Sequence, residues 1–258
     1  MISFDLDMTL LDHKTGRIPD SAMKAIEQLR KKHRIVLATG RDMDNYYSIA
    51  YRDLIQPDAI VHMNGTKITI GRTLLYEHIF SPDLVKSLLE FCDREGYGIG
   101  ITIGDDDYYI HPEVIAANDR RFWGECGRQF KDPWKLLQMT VRSLAFVGNK
   151  EQVQHIEAMF PTLKLPMFAS GHGADVVEKG NSKANGLRRL AACWGEKEDL
   201  SDTVAFGDSM NDIEIIQEAG IGVAMGNAVD ELKLVADYVT SAIDEDGIYR
   251  ACLHLGLI

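Results

Sequence analysis

A chain of 258 residues with 45% hydrophobic content can bury a substantial core, as one large domain or as a main domain carrying a smaller one. Its 28 Lys+Arg against 39 Asp+Glu give a formal net charge of -11, which argues against nucleic acid and anionic membranes as partners. The four cysteines, Cys92, Cys126, Cys193 and Cys252, form no CxxC pair and meet no clustered histidines, so reduced thiols are expected and a zinc site is not.

The chain opens on an apolar strand, Ile2-Ser3-Phe4, without a basic leader, and no apolar run approaches the roughly 20 residues of a membrane span. A cytoplasmic protein, monomeric or homodimeric, is expected. Directly after the first strand comes DLDMTLLD, which places Asp5 and Asp7 at a strand end. Pro19-Asp20-Ser21 then opens a helix over SAMKAIEQLRKK, closed by Lys31, Lys32 and His33. A second strand, RIVLA, ends in Thr39-Gly40-Arg41. A helical stretch from Asp42 and a strand AIVHM follow, the latter ending in Asn64-Gly65-Thr66. This alternation predicts right-handed βαβ units and a parallel sheet.

The middle of the chain changes rhythm. Helix PDLVKSLLEFCDREG leads into strands YGIGITI and DYYIH, with Asp105-Asp106-Asp107 read as a solvated hairpin turn. A helix from Pro112, strand VRSLAFVG, helix KEQVQHIEAMF and strands KLPMFA and ADVVE complete the segment. Adjacent strand pairs with interspersed helices predict an antiparallel sheet, an α+β insertion over 81–179. Beyond it, a helix after Ser182, strand TVAF, helix MNDIEIIQEA, strand IGVAM, helix AVDELKLVA and strand YVT restore the first rhythm. The expected fold is a doubly wound, Rossmann-like α/β core of residues 1–80 and 180–258, interrupted by the inserted α+β domain.

Four stretches of the core hold residues that can do chemistry. Asp5 and Asp7 form an isolated DxD, common as a turn, but they follow a predicted central strand, whose carboxyl end faces the ligand crevice in doubly wound folds. Thr39 reads equally well as a helix cap beside Asp42. Gly207-Asp208-Ser209-Met210-Asn211-Asp212 follows strand TVAF and reads either as a capped helix start or as acids converging on the first strand end. Asp5, Asp7, Asp208 and Asp212 could then share a hard divalent cation, and an all-oxygen donor set favours magnesium. Lys183 falls in the first turn of a helix, the unfavourable end of the dipole for a cation. It is either exposed and harmless or aimed at an aspartate or a phosphate.

Together, DLDMT, Thr39-Gly40-Arg41, Lys183 and the Gly207–Asp212 run resemble, in order, the four motifs of the haloacid dehalogenase superfamily of phosphotransferases. The insertion, Asn64-Gly65-Thr66, Ser170-Gly171-His172-Gly173 and Asp246-Gly247-Ile248 are similar to its Cof-type branch, which carries a large α+β cap at that point. The chain departs from the common pattern at Met8 and Ala184, where glycine is usual.

The resemblance implies that Asp5 attacks phosphorus to give an aspartyl-phosphate, and that Asp7 is the acid and then the base, best served by a raised pKa. It implies magnesium held by Asp5, Asp208, the Asp7 main-chain carbonyl and Asp212, with phosphoryl oxygens held by Thr39, Gly40 and Lys183. Asn211 is expected to orient Lys183 or Asp212, and Asn64 to lie near the substrate. Thr9 would fix the turn, while Asp12 is read as loop structure. The implied activity is hydrolysis of a small phosphorylated metabolite of the sugar phosphate, pyridoxal phosphate or flavin mononucleotide class. A phosphomutase or a non-catalytic phospho-ligand sensor is the alternative. Arg120, Arg121, Arg142, His111 and His172 are the insertion's candidates for reading the leaving group, each also readable as a surface charge.

Overall fold

The computed structural model describes every residue except Trp123, Glu125 and Ala169. In chain order its elements are β1 (Ile2–Phe4), α1 (Asp20–Leu29), β2 (Ile35–Ala38), α2 (Tyr46–Ile55), β3 (Ala59–His62), β4 (Lys67–Ile70) and β5 (Thr73–Glu77). Then come α3 (Pro82–Glu95), β6 (Gly98–Ile103), β7 (Asp106–Ile110), α4 (Pro112–Phe122), β8 (Phe130–Lys131), β9 (Leu144–Val147), α5 (Lys150–Met159), β10 (Leu163–Lys164) and β11 (Ala174–Glu178). The chain closes with α6 (Lys183–Trp194), β12 (Val204–Gly207), α7 (Ile213–Glu218), β13 (Ile221–Ala224), α8 (Asp230–Lys233), β14 (Tyr238–Val239) and α9 (Gly247–His254).

The elements divide into two units. Met1–Asp44, Ser48–Tyr76 and Gly180–Ile258 form one, and Asn45–Tyr47 with Glu77–Lys179 form the other. The first unit holds a sheet in the order β14-β13-β12-β1-β2-β3-β4-β5. From β14 to β3 the strands run parallel, and β4 turns back antiparallel to β3. Strand β1 is central, with Phe4 opposite Phe206 on β12 and Leu37 on β2. The rings of Phe4 and Phe206 stack at 4.8 Å, and the strand cores are fully buried, as parallel sheets covered on both faces require. The carboxyl ends of β1, β2 and β12 therefore lie side by side.

The second unit has a sheet in the order β10-β11-β9-β6-β7-β8, antiparallel except for the short β7–β8 pairing. A separate core packs Leu88, Leu89 and Phe91 of α3 and Val153 and Ile156 of α5 against Ile99, Phe146 and Val176.

Several readings shift. The strand expected over KLPMFA is ladder only at Leu163–Lys164, with Met167 in an isolated bridge to Ala174; its last residue, Ala169, lies outside the described residues. The helix expected over AVDELKLVA is reduced to Asp230–Lys233. The solvated-turn reading of Asp105-Asp106-Asp107 fails at Asp107, which is buried inside β7. There its carboxylate accepts bonds from Thr102 Oγ1 (2.6 Å), Arg128 Nη1 (3.0 Å) and the Gln129 amide (2.8 Å). Arg128 also clasps buried Asp119 of α4, so one guanidinium satisfies two acids brought together across the sheet.

Candidate active site

The first unit's sheet fixes the site through its strand ends. The Asp5 amide donates to the Phe206 carbonyl (3.0 Å), carrying the β1–β12 ladder one residue past β1 and setting the buried Asp5 carboxylate beside Asp208. Thr9 Oγ1 donates to Asp208 Oδ1 (3.0 Å), tying the two loops together. Asp212 Oδ2 accepts from the Asp208 and Ser209 amides, both at 3.1 Å, which leaves its Oδ1 facing inward.

Lys183 meets these acids from the first residue of α6, where Ser182 caps the helix by accepting from the Asn185 amide (3.1 Å). Its Nζ donates to Asp5 Oδ1 (2.6 Å) and Asp212 Oδ1 (2.7 Å), and the residue is 1% exposed. The harmless-surface reading of Lys183 is thereby excluded. A buried ammonium at a helix N-terminus suffers both desolvation and the dipole, and the two carboxylates outweigh these, holding the lysine above its ordinary pKa.

Two glycines place α6. A Cβ on Gly65 would stand 2.2 Å from the Ser182 carbonyl oxygen, and one on Gly186 would stand 2.3 Å from a methyl of Val61 on β3. The helix start is thus pressed onto the loop after β3 and onto the sheet itself. In the sequence Gly65 stands out only as part of Asn64-Gly65-Thr66 and Gly186 not at all, because their partners are remote in the chain.

The carboxylates of Asp5, Asp208 and Asp212 offer oxygen atoms within 4.8 Å of one another, and all three residues are buried. One lysine serves the whole group. Burial first, then Asp212 and Asp7, push Asp5 up to about 7 against the pull of Lys183. Burial followed by Asp5 and Asp212 push Asp208 well above the carboxylate range. The donor set is all oxygen and its charge is under-compensated, which fits a hard divalent cation.

Asp7 is held differently from its expectation. Burial favours its neutral form, but a hydrogen bond to His13 Nε2 (2.6 Å) and a bidentate clasp by Arg41 outweigh it. The result is a carboxylate depressed to about 2, the reverse of the raised value expected. Arg41 Nε lies 2.8 Å from Oδ2 and Nη2 2.5 Å from Oδ1. Arg41 ends the Thr39-Gly40-Arg41 run and His13 follows Asp12. Neither was singled out, because no periodicity marks a loop side chain that folds back on a strand end.

Thr39 is buried, and its Oγ1 accepts from the Arg41 amide (3.1 Å), so it shapes this loop and does not cap α2, which starts at Tyr46. Gly40 lies half-buried between them. Among the described residues, the Asn211 side chain bonds to neither Lys183 nor Asp212. Its Nδ2 donates to Asn64 Oδ1 (3.0 Å) and its Oδ1 accepts from Ser209 Oγ (2.8 Å), a correction to the orienting role expected for it. Asn64 is buried in a left-handed conformation, φ 52°. Met8 shares that conformation, φ 58°, which accounts for a preference for glycine at this turn.

In the second unit Arg142 is committed to Glu77 (2.6 Å), and His111 to the Asp93 carbonyl and Glu113, both at 3.0 Å. Arg121 and His172 line one cavity, and Arg120 is exposed away from it.

Against known proteins, the model of the haloacid dehalogenase-like hydrolases matches residues 2–252. YkrA of Bacillus subtilis (strain 168) is 31% identical over 265 residues, covering 100% of this chain and 98% of its own. The 5-amino-6-(5-phospho-D-ribitylamino)uracil phosphatase YitU of the same organism is 28% identical over 266 residues, covering 97% of this chain and 95% of its own. Among solved structures, the HAD subclass IIB sugar phosphatase BT4131 is 30% identical with a TM-score of 0.86, over 100% of this chain and 99% of that one. The phosphatase BT1666 from Bacteroides thetaiotaomicron is 25% identical with a TM-score of 0.90, over 100% and 95%.

Proposed function

The chain belongs to the haloacid dehalogenase-like hydrolases and is a phosphatase of that family, and from that premise we propose that it hydrolyses a small sugar- or polyol-type phosphate through an aspartyl-phosphate on Asp5. The observation that carries this reading is Lys183 Nζ bridging Asp5 Oδ1 and Asp212 Oδ1, with Asp208 in the same cluster. A nucleophile needs a fixed orientation and a cation nearby to absorb phosphoryl charge, and Lys183 supplies both.

In the first half-reaction a carboxylate oxygen of Asp5 bonds to phosphorus as the ester P–O bond breaks, and the leaving oxygen takes a proton from Asp7. In the second, water attacks the same phosphorus, Asp7 takes its proton, and the Asp5 carboxylate departs. The clasp of Arg41 and His13 holds Asp7 in the ionised form that the second half needs. In the first half, phosphoryl charge entering beside Arg41 competes for the guanidinium, which releases Asp7 toward its protonated form. Magnesium, held by Asp5, Asp208 and Asp212 with the Asp7 carbonyl, would offset charge between the attacking carboxylate and the phosphate. Thr39 and Gly40 lie at the neighbouring strand end and donate to the phosphoryl oxygens, while the Asn64–Asn211 pair borders the site. Selection of the leaving group is assigned to the insertion over 81–179.

The substrate class draws on the relatives: BT4131 is a sugar phosphatase, and YitU acts on a phosphoribitylamino-uracil. The test is phosphate release from p-nitrophenyl phosphate and a panel of sugar and polyol phosphates, with and without magnesium. Free phosphate from the panel, lost on chelation, supports the reading; an isomerised phosphate ester as the product would replace hydrolysis with mutase chemistry.

A further inference from the structure

The second unit contains a cavity of about 470 Å³, within the range of small-molecule sites. One wall is a single face of α4: Val114, Ala117, Asn118 and Arg121 recur at the spacing that stacks helical side chains. The opposite wall is the start of β6 (Gly96, Tyr97, Gly98) and the turn from β9 into α5 (Val147, Gly148, Asn149, Gln152), and His172 closes one side.

The polar lining is one-sided. No aspartate or glutamate is among the described residues that line the cavity, in a chain whose formal net charge is -11. Arg121 enters no ion pair among the described residues and lies over the Phe122 ring at 5.1 Å, while His172 packs on the same ring at 5.1 Å and offers a ring N–H in either tautomer. Asn149 and Gln152 form a reciprocal capping box, Asn149 Oδ1 accepting from the Gln152 amide (3.0 Å) and Gln152 Oε1 from the Asn149 amide (2.9 Å). Each side-chain oxygen accepts one backbone bond, and each amide also carries an NH2 donor. With Asn118, three side-chain amides share the lining with the apolar Val114, Ala117 and Val147.

Gly148 keeps this turn tight, since a Cβ there would stand 2.3 Å from the Phe146 ring and 2.4 Å from Gln152 Oε1. The capping box and the cavity wall are therefore one construction.

We propose that this cavity is a binding site for a small organic anion, a carboxylate or phosphate on a compact apolar body, with Arg121 as its charged anchor and His172, Asn118, Asn149 and Gln152 as donors. None of its lining residues belongs to the carboxylate cluster, and its test requires no turnover. Succinate, which cannot be dephosphorylated, is the probe, titrated calorimetrically into the whole magnesium-free protein. The expected result is saturable binding that weakens about tenfold or more in Arg121→Gln, the loss of a charge-assisted bond. Arg120→Gln, an equal change of charge on a neighbouring residue outside the cavity, is expected to bind as the parent does. Absence of saturable binding, or equal weakening by both substitutions, overturns the proposal. Steady-state rates then separate the anion's source. An anion carried on the enzyme's own substrate makes succinate competitive and raises KM for acidic phosphate esters in Arg121→Gln but not for p-nitrophenyl phosphate. A separate metabolite leaves inhibition or activation by succinate non-competitive.

Discussion

Asp5 and Asp7 stand two residues apart, yet their surroundings drive them in opposite directions, Asp5 up to about 7 and Asp7 down to about 2. The difference lies in their partners. Asp5 shares one lysine with Asp212 and faces Asp208, whereas Asp7 is bonded by both an arginine and a histidine. A depressed carboxylate stabilises the fold above its ordinary value of 3.8, and that contribution disappears as pH falls toward about 2. Arg41→Gln is therefore expected to cost about 1 kcal/mol at pH 7, discounted for partial exposure, and less at pH 3, read by urea unfolding. The same substitution lifts Asp7 toward its ordinary value, so the acid limb of the rate of aspartyl-phosphate hydrolysis, the half-reaction in which Asp7 is the base, should move up by about one pH unit; an unmoved limb would detach Arg41 from Asp7's protonation. The acids themselves were legible in DLDMTLLD because a strand pattern precedes them. Their opposite protonation was not, since it depends on loop side chains whose direction no spacing encodes.

At the scale of elements, α6 shows why a motif needs a frame. Lys183 reaches Asp5 and Asp212 only if the helix start lies against the Gly65 turn and the Gly186 face lies against Val61. Gly65 adds a positive φ of 89°, which a side chain resists. Gly65→Ala is expected to destabilise by about 2 kcal/mol or more through strain and a backbone clash, and to lower kcat in protein that remains folded at assay temperature. An unchanged kcat and an unchanged unfolding midpoint would show that the helix start is not so constrained. In the insertion, Arg128 bridges buried Asp107 and Asp119. Arg128→Met strands two buried acids, and a loss of about 3 kcal/mol is expected from unfolding measurements, against little loss if solvent reaches both carboxylates. The alternation of strands and helices made β1 to β3 and β12 to β14 readable in order, whereas β4, β5 and α9 carried no expectation. The two-residue ladder β8 falls below what any periodicity can mark, and Asp107 misled because three consecutive acids resemble a turn whatever lies beneath them.

For the whole molecule, charge decides the account of the metal. The chain is acidic overall, and within the first unit three buried carboxylates gather around one lysine. A divalent cation that binds only the folded state should raise stability by about 2.7 kcal/mol at a hundredfold excess over its dissociation constant, a shift of several degrees in unfolding temperature. Magnesium is expected to give this shift, EDTA to reverse it, and Asp208→Asn to abolish it; a midpoint indifferent to magnesium would remove the cation from the site. Among the described residues no helix is long and apolar enough to cross a membrane.

The central claim is that phosphorus passes through Asp5. Acid quenching during turnover of a favoured substrate, followed by proteolysis and mass spectrometry, locates any phosphoryl group on the chain. One phosphoryl group is expected on the peptide bearing Asp5, and it is expected to be missing, together with turnover, in Asp5→Asn. A phosphoryl group on another residue, or turnover by Asp5→Asn protein, would contradict it.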